Sequence, residues 1–132
     1  MPYVCIYDFR NNSMTRKTDM IVTRERHALE IDNNVMYAFG GENDDNPLNK
    51  CEKYYVKSDS WLEFENLPAY RYLLSSTKHQ NSVYIVNGDD NSMFVYDLAT
   101  FHFSTRTLPF QETIFRTWKI ISSDSTHLIS IF

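Results

Sequence analysis

Glycine is nearly missing from this chain: Gly40, Gly41 and Gly88 are the only three in 132 residues, alongside four prolines. So small a stock leaves no phosphate-cradling loop. Neither GxxxxGKS/T nor GxGxxG occurs, and Gly40-Gly41 runs into Glu42-Asn43-Asp44-Asp45, which repels phosphate. Cysteine is as scarce. Cys5 and Cys51 stand far apart without motif spacing, which points to reduced thiols in an intracellular, cytoplasmic protein. His27, His79, His102 and His127 never pair at ligand spacing with each other or with a cysteine, so no zinc site is expected. Positive charge is also short, 13 Lys and Arg against 17 Asp and Glu for a net −4, and such a chain offers nucleic acid no basic field. No run of eighteen apolar residues occurs, so no membrane span is expected, and MPYVCIYDFRNN lacks the pattern of a signal peptide. Asn11-Asn12-Ser13 fits a glycosylation acceptor, but without a secretory signal it reads as chance. With no GxSxG elbow and no Cys–His pair, no nucleophile can be nominated; no catalytic residue and no cofactor is expected.

What is present is apolar and aromatic. Hydrophobic residues make up 42% and aromatics 15%, including nine Tyr and nine Phe, enough for a packed core. The abundance of Val, Ile, Thr, Tyr and Phe favours strands. These residues also recur. Arg24 and Arg71, Tyr37 and Tyr84, and Gly41 and Gly88 are each 47 residues apart. Tyr54 is followed seven positions later by Trp61, Tyr96 by Phe103, and Tyr7 by Met14. Arg116 continues the series after an insertion of four residues in LPFQETIFR, and thirteen residues beyond it stands Ile129, at the phase of Tyr37 and Tyr84. A fixed period of this length is the mark of a repeat architecture.

Each unit reads as four short strands, near 27–32, 34–40, 50–56 and 60–65 in the best-formed copy. VMYAF and VYIV alternate, and Asp32-Asn33-Asn34, Lys57-Ser58-Asp59-Ser60 and Gln80-Asn81-Ser82 supply turns. No stretch of eleven residues carries a helical stripe, so the chain reads as all-β.

The sequence TRERHALEIDNNVMYAFGG…EKYYVKSDSWLEFENLP resembles the kelch repeat: an arginine, an apolar strand, a strand ending in Gly-Gly, then Tyr and, seven later, Trp. The resemblance implies a partial β-propeller of about three four-stranded antiparallel blades. It divides one incomplete domain, 1–132, into the end of a blade (3–20), a full blade (24–67), a second (71–108) and the start of another (116–132). The second unit departs from the pattern with Asn87-Gly88 for Gly-Gly and Phe103 for Trp, and Met14 holds the Trp position of the opening fragment. Phe132 aligns with Gly40. A propeller closes with about four to eight blades, so three must be shortened, paired or poorly folded alone. Self-association and pairing with a longer kelch protein both stay open. Shortened chains of this kind occur in large DNA viruses.

The resemblance also implies function: a non-catalytic protein–protein interaction module, similar to the substrate-recognition part of BTB–kelch ubiquitin-ligase adaptors but without BTB helices. Family members that capture peptides use the loops between blades and between second and third strands. By position this nominates Thr23 and Arg24, Ala69, Tyr70 and Arg71, and the acidic loops with Glu42, Asp44, Asp45, Asp89 and Asp90, which suit a basic partner. The bland reading of the arginines is that they satisfy carbonyls or loop carboxylates. Two rivals stand beside this one. The family includes copper oxidases and sugar epimerases, so an enzyme or sugar-binding propeller could assemble from several copies; a decayed fragment without selected activity is the other.

Overall fold

A computed structural model describes residues 3–71, 73–87, 91–109, 119–122 and 128–131. Among them every regular element is a strand: β1 (Tyr3–Asp8), β2 (Ser13–Asp19), β3 (Ala28–Asp32), β4 (Val35–Phe39), β5 (Glu42–Asn43), β6 (Asn46–Pro47), β7 (Cys51–Tyr55), β8 (Ser60–Phe64), β9 (Leu74–His79), β10 (Ser82–Asn87), β11 (Ser92–Asp97), β12 (His102–Thr107), β13 (Lys119–Ser122) and β14 (Leu128–Ile131). Two four-stranded antiparallel sheets, β3-β4-β7-β8 and β9-β10-β11-β12, stand between the pairs β1-β2 and β13-β14. These are the sheets of a partial β-propeller, and the all-β reading holds. The short hairpin β5-β6 was not anticipated.

The backbone repeats with the side chains. Asn12, Asp59 and Phe101 take positive φ at the same phase of the turn between third and fourth strands. Asn33 and Gln80 do so between first and second strands, and Arg26 and Leu73 just ahead of the first strand. The Tyr7 hydroxyl donates to Asn12 at 2.7 Å and the Tyr54 hydroxyl to Asp59 at 2.7 Å, 47 residues on. By this equivalence β1-β2 are the third and fourth strands of a unit.

The core fills the seam between the two full blades. The first turns Tyr37, Phe39 and Phe64 toward the second, which presents Val83, Ile85 and Tyr96. Tyr96 lies with its ring centroid 5.7 Å from Phe39, 5.2 Å from Phe64 and 4.7 Å from Phe103. Edge and tilted packing of this kind adds to the gain from area buried. Burial raises the Tyr96 hydroxyl's pKa and pushes the Cys51 thiol up to about 12. The innermost strand β9 lies against both β3 and β13.

Gly40 and Gly41 end β4 with φ of +55° and +92°. A Cβ on Gly40 would stand 2.6 Å from Leu67 Cδ1 and 2.8 Å from Leu74 Cδ1; one on Gly41 would stand 2.5 Å from the Glu25 carbonyl oxygen. The pair therefore serves a left-handed exit and close packing of loops.

Candidate functional site

Three connections meet at one end of the first blade: 20–27 leading into β3, 40–50 between β4 and β7, and 65–73 leading into β9. Backbone hydrogen bonds knit them together. Glu25 and Glu42 exchange N–H and carbonyl at 3.0 and 2.9 Å, Gly41 donates to Arg71 at 3.2 Å, and Arg71 donates to Leu48 at 3.1 Å. The result is a braced rim.

Arg24 holds the rim from inside. Its side chain is fully buried with Glu52, to which Nη2 donates at 3.0 Å, while Nη1 donates to the carbonyls of Gly40 and Lys50 at 2.7 Å each. Glu52 accepts further bonds from the N–H groups of Ile21 (2.9 Å) and Val22 (3.0 Å). Arg24 is thus a structural plug that cannot reach a partner, which corrects its nomination: the last turn of the connection buries the charge. Glu42 is corrected likewise. It is 3% exposed and bonded to Arg26, so it fixes the loop and does not join an acidic face. Ala69 packs against the core. Arg71 turns back, its Nη1 donating to the Tyr70 carbonyl at 2.8 Å and its guanidinium lying 5.7 Å from the Phe94 ring centre, so it braces the loop.

Other nominated residues do reach solvent. Tyr70 is 62% exposed. Asp44 and Asp45 form the exposed tip of β5-β6, with φ of +48° and +62°. Thr23 is exposed, and with Glu25, Asn43 and Asp44 it lines a shallow cleft of about 230 Å³. Asp89 and Asp90 lie outside the described residues, as do Gly88, Arg116 and Phe132. Sequence reasoning missed Arg26, an exposed cation paired with Glu42. It missed Glu52 as well, although period-two alternation puts this carboxylate on the same face as buried Tyr54, a signal that a buried cation must answer it.

His27 lies beneath the rim. Burial, and then the charge of Arg24, lower its pKa to about 4. Asp59 is held below the ordinary carboxylate range by the N–H of Thr18 and the hydroxyl of Tyr54.

Repeated four-stranded sheets, each headed by an arginine under a rim of loops, define a β-propeller built from sequence repeats. A family model for the kelch motif matches residues 23–68. Alpha-scruin of Limulus polyphemus is 29% identical over 84 residues, covering 63% of this chain and 9% of that protein. Kelch-like protein 15 of Mus musculus is 30% identical over 86 residues, or 65% and 14%. Kelch-like protein 36 of Rattus norvegicus is 27% identical over 129 residues, or 95% and 21%. The chain thus carries a kelch motif, is similar to these kelch-repeat proteins and spans about a fifth or less of their length.

Proposed function

We propose that the chain is a non-catalytic protein-interaction module that engages its partner through this rim, as the target-recognition part of a BTB–kelch adaptor does. The observation that carries the reading is the exposure of Tyr70 on a connection whose backbone is already fixed. An amphipathic aromatic anchor on a preorganised loop loses little entropy on binding. Exposed Glu25, Asp44 and Asp45 on the other connections of the rim favour basic residues on the partner, consistent with the net charge of −4.

The test is a photo-crosslinking residue placed at Tyr70 and, separately, at Phe101, which is 49% exposed in the turn between β11 and β12 at the opposite end of the blades. Crosslinking to a partner from position 70, lost when Asp44→Lys and Asp45→Lys are added, supports the rim. Crosslinking from position 101 alone overturns it.

A further inference from the structure

Lys53 is set apart by its surroundings. It lies mid-strand in β7, half-buried, and alternation puts it with buried Cys51 on the face that the first blade turns toward the second. Four rings surround its ammonium. The centre of Phe101 is 5.2 Å from Nζ, that of Tyr55 5.7 Å, that of Phe64 5.9 Å and that of Tyr37 6.0 Å. Among the described residues no carboxylate pairs with it, whereas Lys78 in the same seam pairs with Asp32 at 2.5 Å. What holds this cation is the negative faces of the rings, an attraction that lasts only while the nitrogen is charged.

Phe101 comes from the other blade, and its backbone is costly. It takes φ of +62° in the turn between β11 and β12, at the phase where the first blade has Asp59 and the β1-β2 pair has Asn12. Asn and Asp enter the left-handed region readily; a bulky aromatic does not. Asp59 and Asn12 also accept the hydroxyl of the tyrosine five residues earlier, at 2.7 Å each, a bond that a phenyl ring cannot make. Phe101 forgoes both, and such a residue persists where its surroundings over-determine it. Within the turn, Asp97 accepts from the N–H groups of Ala99 (2.7 Å) and Thr100 (3.1 Å). Two ties cross the seam: Phe101 on Lys53, and His102 Nδ1 at 3.1 Å from Glu65. The second blade has Val95 at the phase of Lys53, so the caged cation is not a requirement of the repeat.

We propose that Lys53 is a modification site whose charge latches the turn of the second blade onto the first, and that acylation of its ε-amine by an acyl thioester opens the latch. In that step the neutral amine attacks the thioester carbonyl carbon. The C–N bond forms as the C–S bond breaks, and the thiolate leaves with the proton that the nitrogen sheds. Phe101 is 49% exposed, so local opening of its turn admits the donor. The product keeps the lysine stem but carries no charge. The rings then lose their attraction while Phe101 keeps its strained backbone, and the turn comes away from the first blade.

Acetyl-lysine introduced at position 53 by codon reassignment should speed hydrogen exchange at the Ala99, Thr100 and Phe101 amides by about three- to thirtyfold, the span of a cation–ring contact from exposed to desolvated. The turn at 57–60 should not change, and Lys53→Arg, which keeps the charge, should stay within about twofold of wild type. Incubation of the folded protein with an acetyl thioester, read by peptide mass, should acetylate Lys53, and faster with Phe101→Leu, which removes the ring over the amine. Should the acetyl-lysine chain fail to fold, Lys53→Met and Phe101→Asn give an independent arm. Phe101→Asn relieves strain in either background but forfeits a cation contact only where the cation is present. It should therefore raise the denaturant midpoint more in the Lys53→Met background than in wild type. Unchanged exchange in the acetylated chain, equal acceleration with Lys53→Arg, or a rise spread evenly over both blades each overturns the proposal. So does an unmodified Lys53 under conditions that acetylate exposed Lys50 and Lys57, or an equal effect of Phe101→Asn in both backgrounds.

Discussion

The two full blades solve one problem in two ways. Arg24 and Arg71 occupy the same repeat position, as do Glu52 and Phe94. In the first blade the guanidinium meets a carboxylate at 3.0 Å; in the second it lies over an aromatic ring at 5.7 Å. What the fold requires at this point is a long planar cation wedged beneath the loops, and the identity of the group below it is negotiable. The energetics are not equivalent. A buried ion pair binds its partners to each other's presence, because removing one leaves a desolvated charge, whereas a ring left beneath an absent cation loses only a modest attraction.

The largest effect that separates the blades is therefore Arg24→Met, which should cost about 3–5 kcal/mol in a denaturant titration by stranding Glu52. Arg71→Met should cost less, because the Phe94 ring beneath it carries no charge to strand. Adding Glu52→Leu to Arg24→Met should recover a large part of the loss. Equal costs for the two arginines would show that carbonyl bonding and packing, and not the carboxylate, make the first blade depend on its cation. Gly40→Ala comes next, at about 2–4 kcal/mol, since positive φ and overlap with Leu67 and Leu74 act together. The second blade has Asn87 at that phase.

The repeat itself was legible because burial enforces it. A side chain at the phase of Tyr37 or Tyr54 must fill the same seam in each unit, so spacing survives where identity drifts. The strands 28–32, 35–39, 51–55 and 60–64 fall close to where alternation and turn residues put them. The rim was legible only in part. Arg24, Tyr70 and Asp44 sit in loops and Glu42 in the two-residue strand β5, and nothing in their types says which point inward. Burial was decided by partners distant in sequence, Glu52 for Arg24 and the reach of Arg26 to Glu42 across 16 residues. Gly40 abuts Leu67 and Leu74, and Gly41 abuts the Glu25 carbonyl and His27, neighbours that no local pattern in the sequence identifies.

A smaller contrast lies at the phase shared by His27 and Leu74. The folded state depresses the His27 pKa from 6.5 to about 4, so it favours the neutral ring. Its contribution to stability is complete above pH 6.5 and is lost as pH falls toward 4, because the unfolded chain takes up the proton first. Stability should drop by on the order of 1–3 kcal/mol across that window from this residue. His27→Leu, which grafts in the second blade's residue, should flatten the slope between pH 6.5 and 4. If the slope is unchanged, carboxylates elsewhere account for it.

The smallest effect concerns Trp61 and Phe103, which share one phase. Phe103 packs 4.7 Å from Tyr96 within the seam between the blades. Trp61 packs tilted against Tyr54, ring centres 5.1 Å apart, and donates its indole N–H to the Thr18 carbonyl, so it ties β1-β2 to the first blade. Trp61→Phe, which gives the first blade the second blade's residue, keeps the ring contact and deletes that bond, at a cost of about 0.5–1 kcal/mol. The loss should be local. Hydrogen exchange should quicken for residues 13–19 of β2 while β9 to β12 stay protected, because the bond joins two sheets and lies within neither. Exchange that rises evenly across both blades would mean that Trp61 acts through the shared core, and that the outer half-blade is held by the Asp59 and Glu52 contacts alone.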